Sequence, residues 1–331
     1  MSFDQILGQE SAVAILRNAL RNGRLAHAYL FLGPEGVGKR LTALTLAKAM
    51  NCKSPPRVAD ACDQCPSCAK VDSSNHADVI VLEPEEEVLK IDQVREMQKR
   101  LHYRPLEGGR RACIIDSADS LNEAASNAML KTLEEPPAET HLFLIASRPH
   151  KLLPTILSRC QWVKFKPLSG DHIVRILRTA HSLEEEPARF YASLAEGSVG
   201  QALALSSRVD YEKRTAWLRT FSDIPGKTAE EIFETCERLS KEEEGVDDLL
   251  ELWKLWIRDL MVCKVRGDGG GGKLINHDLE AEATRAAEEF SFERLDGLFD
   301  LISGVQKSLA LNANRQLALE TLLLEMKSKA N

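Results

Sequence analysis

The spacing of apolar residues along the chain changes character twice. Residues 3–24 carry Val13, Leu16 and Leu20 at helical intervals, which predicts an amphipathic helix with a short lead-in. Beyond this helix, short apolar runs alternate with helical patterns, and the alternation predicts a parallel sheet with helices on both faces. The predicted strands are 28–32, 77–82, 110–116, 141–146 and 162–165. After Pro167 the strand-type runs stop, so the rest of the chain is predicted to be helical.

Composition and charge are typical of a globular protein with two or three domains. The chain has 331 residues, and 44% of them are hydrophobic. A net charge of −7 argues against a globally basic nucleic-acid binder. No stretch approaches the roughly 18 consecutive apolar residues of a membrane span, and the N-terminus lacks the pattern of a signal peptide. The sequence therefore predicts a cytoplasmic protein without a membrane segment.

A glycine-rich segment between the first predicted strand and the next helix matches a phosphate-binding loop, G-x-x-x-x-G-K. Gly33, Gly36 and Gly38 let the backbone N–H groups turn toward an anion, and Lys39 supplies positive charge for the outer phosphates. The pattern then expects a serine or threonine whose hydroxyl ligates magnesium, but the residue is Arg40. The segment therefore predicts a phosphate cradle that lacks one part of its chemistry.

A cysteine cluster interrupts the α/β pattern between residues 52 and 76, in a segment with few apolar residues. Its members are Cys52, Cys62, Cys65 and Cys68. Four thiolates without a histidine favour a closed, structural Zn²⁺ site over a catalytic one. Free thiols or disulfides are the alternative, and His76 lies near enough in the chain to be considered as a ligand.

The order of motifs resembles that of bacterial clamp-loader subunits of the AAA+ class across residues 3–208. After the phosphate loop and the cysteine insert come a strand that ends in Asp116, the stretch Asn-Ala-Met-Leu-Lys-Thr-Leu-Glu-Glu-Pro-Pro at 127–137, and the triplet Ser158-Arg159-Cys160. The combination of the last two motifs is highly specific for this family.

The resemblance implies the fold, the domains and the partners. It implies an α/β AAA+ P-loop domain over 1–166 with the zinc insert at 52–76, a small helical lid over 167–208, and an all-α oligomerisation collar over 209–331. The implied partners are gamma/tau-type ATPase subunits and the delta subunit of the clamp loader. The sliding clamp and primed DNA are reached through the complex.

Three positions depart from the hydrolysing members of the family. Arg40 replaces the magnesium-ligating hydroxyl, and Ser117 follows Asp116 where a glutamate would activate water. Gly200 stands where the resemblance places a lid arginine that senses the γ-phosphate. The resemblance therefore implies a vestigial nucleotide loop that holds ATP or ADP weakly and does not hydrolyse it. We expect Arg40 and Asp116 to form an ion pair that replaces the metal bridge.

Arg159 retains the residue type that the family uses as an arginine finger. The resemblance implies that it acts in trans on the ATP of a neighbouring subunit, while the alternative is a surface arginine paired with a local carboxylate. The predicted function is a non-hydrolysing stator subunit of the bacterial DNA polymerase III clamp loader. Two alternatives stay open, namely a gamma/tau-like ATPase with an atypical site and a zinc-stabilised DNA-binding module on an AAA+ scaffold.

Overall fold

The computed structural model describes residues 2–54, 59–107, 109–241, 245–267 and 272–328. Described residues within Met1–Ala180 and Ala195–Gln201 form one compact unit, here called the sheet unit. Those within His181–Leu194 and Ala202–Asn331 form a second, the helical unit. The predicted domain limits after residues 166 and 208 stay predictions. No described helix combines the length and the apolar character needed to cross a membrane.

Five parallel strands form the sheet, and all five lie where the apolar runs predict them. They are β1 (Ala28–Leu32), β2 (Val79–Leu82), β3 (Arg111–Ile115), β4 (Thr140–Ala146) and β5 (Gln161–Lys164). Their order across the sheet is β2-β3-β4-β1-β5. β1 lies between β4 and β5, and its Leu30 is opposite Leu144 of β4 and Trp162 of β5. Because the strands are parallel, their carboxyl ends meet at one edge, and the residues that follow β1 to β4 lie together there.

One α-helix precedes the first strand, five lie between successive strands, and the described residues after β5 contain helices and no further strand. In chain order they are α1 (Glu10–Arg21), α2 (Lys39–Met50), α3 (Pro66–Asp72), α4 (Ile91–Leu101), α5 (Glu123–Glu134), α6 (Pro154–Leu157), α7 (Gly170–His181), α8 (Glu185–Leu194), α9 (Val199–Arg208), α10 (Tyr211–Asp223), α11 (Ala229–Lys241), α12 (Val246–Gly267), α13 (Glu280–Glu289), α14 (Phe292–Ala310) and α15 (Arg315–Ser328). Short 3₁₀ helices lie at Phe3–Gln5, Ala118–Ser120, Pro149–Lys151, Ile224–Gly226 and His277–Leu279.

Two apolar cores lie on opposite faces of the sheet, because successive strand residues point to opposite sides. Phe31 and Phe143 face the core that includes α1 and α2. Leu30 and Leu144 face the core that includes α4 and α5. The predicted parallel sheet with helices on both faces is therefore confirmed.

The helical unit is organised around a buried arginine on α10. Arg214 is fully buried, pairs with Asp278, and lies over the rings of Phe190 and Tyr211 at 4.5 Å and 4.2 Å. Its NH1 also donates to Asn276 Oδ1 at 3.1 Å. The guanidinium thus joins α8, α10 and the segment before α13. The predicted helical character of this region is confirmed, and its role as a collar stays a prediction.

We expect Arg214→Met to lower the free energy of unfolding by about 3 kcal/mol, because removing one partner of a buried ion pair leaves the other partner uncompensated. Urea unfolding monitored by tryptophan fluorescence measures the change. Arg219→Met is the matched control, since Arg219 is an exposed arginine on the same helix. Equal midpoints for the two variants would contradict the assigned role of Arg214.

Candidate functional site

The phosphate loop joins β1 to α2 and requires glycine at two of its positions. Gly36 and Gly38 have φ values of +71° and +95°, in the left-handed region that favours glycine. A Cβ on Gly36 would lie 2.3 Å from Ser198 Oγ, so no side chain fits there. Gly38 is the N-cap of α2, which places the free N–H groups of that helix at the loop.

Lys39 lies inside this loop, as the motif predicts. Its Nζ donates to the carbonyl oxygens of Gly33 and Pro34, at 2.5 Å each, and lies 3.2 Å from Ser147 Oγ at the end of β4. Burial lowers the pKa of the Lys39 ammonium, while the nearby carboxylates of Glu35, Asp119 and Asp116 oppose the shift. The lysine charge is therefore held at the loop, where an anionic ligand would meet it.

Arg40 occupies the position next to Lys39 and points to two carboxylates. Its NH1 lies 3.4 Å from Asp116 Oδ2, so the expected ion pair is present. Its NH2 forms a second, closer pair with Glu83 Oε1, which sequence reasoning missed. One signal could have found Glu83, since it directly follows the predicted strand 77–82 and so belongs to the same sheet edge as Asp116.

The residues after β3 provide one carboxylate at the loop and no second acid beside it. Ser117 has a φ of +52°, and its backbone N–H donates to Asp116 Oδ1 at 2.9 Å. The next acidic residue, Asp119, is buried and accepts from the backbone N–H and the Nε of Arg148, both at 3.1 Å. Asp119 therefore accepts hydrogen bonds from Arg148, in the loop that follows β4.

A cavity of about 870 Å³ opens over the loop, within the size range of ligand pockets. Its polar wall includes Lys39, Arg40, Asp116, Ser117 and Ser147. Its apolar wall is formed by Ile6, Leu7, Leu168, Ile176 and Val199, among others. The cavity thus combines an anion-binding loop with a surface on which a flat ring could lie.

Gly200 also lines this cavity, close to the loop. The backbone N–H groups of Val199 and Gly200 donate to Gly36 O at 3.0 Å and 3.4 Å. The first turn of α9 therefore contacts the phosphate loop through backbone hydrogen bonds. Gly200 has no side chain to offer a phosphate.

The four cysteines of the insert converge at the end of α2. The sulfur atoms of Cys52, Cys62, Cys65 and Cys68 all lie within 4.8 Å of one another. Tetrahedral Zn–S bonds of about 2.3 Å place the sulfurs roughly 3.8 Å apart, and Cys62 Sγ lies 3.9 Å from Cys68 Sγ. None of the four forms a disulfide. The donor set and its spacing therefore fit a metal ion bound by four thiolates.

Backbone N–H groups support the sulfurs as they do in metal-binding loops. Cys65 N donates to Cys62 Sγ at 3.3 Å, and Cys68 N donates to Cys65 Sγ at 3.5 Å. Burial disfavours the Cys65 thiolate, but donation from Cys68 and Lys53 outweighs it and lowers the pKa of Cys65 to about 6. His76 lies outside the cluster, because its two ring nitrogens contact Ser67 Oγ and the N–H of Asp78, at 3.1 Å each.

Ion pairs attach the cysteine insert to the sheet unit. Lys48 on α2 is buried, and its Nζ lies 2.5 Å from Asp63 and 2.7 Å from Asp72. Asp60 accepts from the N–H of Phe3 at 3.0 Å and pairs with Arg17 at 2.9 Å. Within the predicted insert, residues 55–58 lie outside the described residues.

Arg159 lies in the turn after α6 and does not line the cavity over the phosphate loop of its own chain. Its NH2 lies 2.7 Å from Glu134 Oε1, and its NH1 donates to Thr155 O at 3.0 Å and to Ser158 Oγ at 3.3 Å. About a third of the side chain is exposed. The structure therefore separates Arg159 from the phosphate-loop residues of its own chain and leaves part of its side chain exposed.

Comparison with known proteins gives matches over most of the chain. The family described as "DNA polymerase III, delta subunit" matches residues 8–169, and its C-terminal counterpart matches residues 209–328. The delta' subunit of DNA polymerase III from Bacillus subtilis is 29% identical over 324 residues, covering 96% of this chain and 95% of that protein. The delta' subunit from Pseudomonas aeruginosa is 39% identical over 180 residues, covering 54% of each chain.

Tau subunits of DNA polymerase III match a smaller share of the chain. The tau subunit of DNA polymerase III from B. subtilis is 36% identical over 208 residues, which is 61% of this chain but only 37% of tau. The delta' match continues through the helical unit, whereas this tau match covers less than two thirds of the chain. The chain therefore belongs to the delta-prime family of bacterial DNA polymerase III clamp-loader subunits.

Proposed function

We propose that this chain is a non-hydrolysing stator of the clamp loader and donates Arg159 to the ATP of a neighbouring gamma/tau-type subunit. One observation carries the first part of the proposal. The guanidinium of Arg40, paired with Glu83 and Asp116, lies where a phosphate loop of this pattern places a magnesium-ligating hydroxyl. A magnesium ion and this fixed positive charge would compete for the same carboxylates.

Hydrolysis of ATP needs a metal ion on the β- and γ-phosphates and a group that orients the attacking water. Ser117 provides no carboxylate for the second task, and the only other nearby acid after β3, among the described residues, is bound to Arg148. Gly200 offers no cation to the γ-phosphate. A nucleotide held in this cavity would therefore be bound rather than turned over.

The partners follow from the same proposal. Arg159 serves a gamma/tau-type ATPase subunit, and the helical unit joins the chain to that subunit and to the delta subunit. The sliding clamp and primed DNA are engaged through the assembled complex. The four cysteines hold a structural Zn²⁺, which fixes the insert without taking part in a reaction.

We expect the isolated chain to bind ATP weakly, with a Kd that changes less than about threefold when EDTA replaces magnesium, because Arg40 neutralises the carboxylates that would hold the metal. Isothermal titration calorimetry with and without EDTA measures this, and release of phosphate measures hydrolysis. Strong magnesium-dependent binding, or sustained hydrolysis by the isolated chain, would contradict the proposal.

The variant Arg40→Thr is the matched comparison for this titration. It restores the hydroxyl of the motif and frees Glu83 and Asp116, so ATP binding should become magnesium-dependent. Hydrolysis should remain absent, since Ser117 is unchanged. An Arg40→Thr variant that still binds ATP equally well with EDTA would show that Arg40 is not the cause of metal independence.

A second candidate function is ATP hydrolysis by an atypical site. The ligand-sized cavity and the position of Lys39 favour it. The same phosphate-release assay separates the two functions, because only an ATPase hydrolyses ATP without a partner subunit.

A further inference from the structure

Arg159 is held by contacts of two kinds. Its NH1 contacts Thr155 O and Ser158 Oγ, which belong to the same turn as the arginine and move with it. Its NH2 contacts Glu134, the last residue of α5, which lies on a different element. Among the described residues, Glu134 is the only acidic partner that fixes the guanidinium relative to the rest of the sheet unit.

The surroundings of this pair favour a fixed guanidinium. The carbonyl groups at the end of α5 carry partial negative charge, which adds to the attraction of the Glu134 carboxylate. On the other side of the turn, the indole N–H of Trp162 in β5 donates to Leu157 O at 3.0 Å. The turn that carries Arg159 is therefore bonded to β5, and Glu134 contacts the end of the arginine side chain.

The Glu134–Arg159 pair is too exposed to contribute much to folding stability. The side chains of Arg159 and Glu134 are 35% and 50% exposed, and an exposed ion pair contributes little to stability. An arginine side chain has many rotamers, so holding it in one orientation before it meets a ligand removes an ordering step from the reaction.

We propose that Glu134 is a positioning residue for Arg159. Its carboxylate orients the guanidinium so that the guanidinium meets the phosphates of the ATP on the neighbouring subunit. The proposal rests on the proposed function, in which Arg159 acts in trans.

The test uses the reconstituted clamp loader with sliding clamp and primed DNA, and measures single-turnover ATP hydrolysis at the site next to this subunit. Glu134→Gln keeps the size of the side chain and removes its charge, while Glu135→Gln is the matched control on the next residue. We expect Glu134→Gln to lower the rate about three- to tenfold without changing the ATP concentration that gives half the maximal rate. Glu135→Gln should match the unmodified complex.

A double-mutant cycle identifies how Glu134 acts. If Glu134 acts through Arg159, Glu134→Gln should have no further effect in an Arg159→Ala background. An equal rate loss in both backgrounds, or no loss in the unmodified background, would overturn the positioning role. If Arg159→Ala alone leaves the rate unchanged, the trans role of Arg159 fails instead. Thermal unfolding of each isolated variant checks that the fold is intact.

Discussion

Replacing Arg159 with alanine is expected to slow ATP hydrolysis at the adjacent site by about a thousandfold, the lower end of the range for arginine fingers. The guanidinium is planar and always charged, so it can donate several hydrogen bonds to the charge that develops on the transferred phosphoryl group. A thousandfold loss corresponds to about 4 kcal/mol of transition-state stabilisation. Single-turnover hydrolysis in the reconstituted complex measures this loss of rate. The ATP site next to this subunit should appear as one slow phase, while the other ATP sites keep their normal rate.

Two controls accompany the Arg159→Ala variant. Arg175→Ala removes an exposed arginine from α7 and should leave every phase unchanged. Arg159→Lys keeps the positive charge but not the fork of donors, and should recover only part of the lost rate. Loss of assembly by Arg159→Ala would show that the residue holds the complex together, and hydrolysis at the normal rate would exclude the finger role.

Replacing Cys65 with serine is expected to remove bound zinc and unfold the insert. Cys65 is buried within the cluster, and a structural site that loses one of four thiolates loses most of its affinity. Apparent binding energies of structural zinc in small zinc-finger peptides are about 10–16 kcal/mol, so the metal provides much of the folding free energy of such a segment. Metal analysis should give about one zinc per unmodified chain and almost none in the variant.

Hydrogen exchange of residues 59–76 tests whether the insert depends on zinc. Exchange there should accelerate in Cys65→Ser, while β1 and β4 keep their protection. Cys263→Ser is the control, because Cys263 is a cysteine of the helical unit outside the cluster. A full equivalent of zinc in Cys65→Ser, or no zinc in the unmodified protein, would refute the assignment.

The residues near Arg40 show which features of the site can be predicted from sequence and which cannot. The absence of the magnesium-ligating hydroxyl and of the water-activating glutamate can be read from the residue types at positions 40 and 117. No structure is needed for either, because each is a single position within a sequence motif. The pairing with Asp116 was also predictable, because both residues belong to motifs of known position. Glu83 was not predicted, since it belongs to no motif and reaches Arg40 only because β2 and β3 are neighbours.

The sequence by itself determined the elements of this protein and its candidate chemistry. Apolar periodicity located the five strands, glycine and lysine spacing located the phosphate loop, and cysteine spacing located the four-cysteine cluster. These signals are local, because each depends on residues close together in the chain. The tertiary structure decided which charges meet, namely Arg40 with Glu83 and Arg159 with Glu134. Such partners are brought together by strand order and helix packing, and many exposed carboxylates could have served equally well on the basis of sequence.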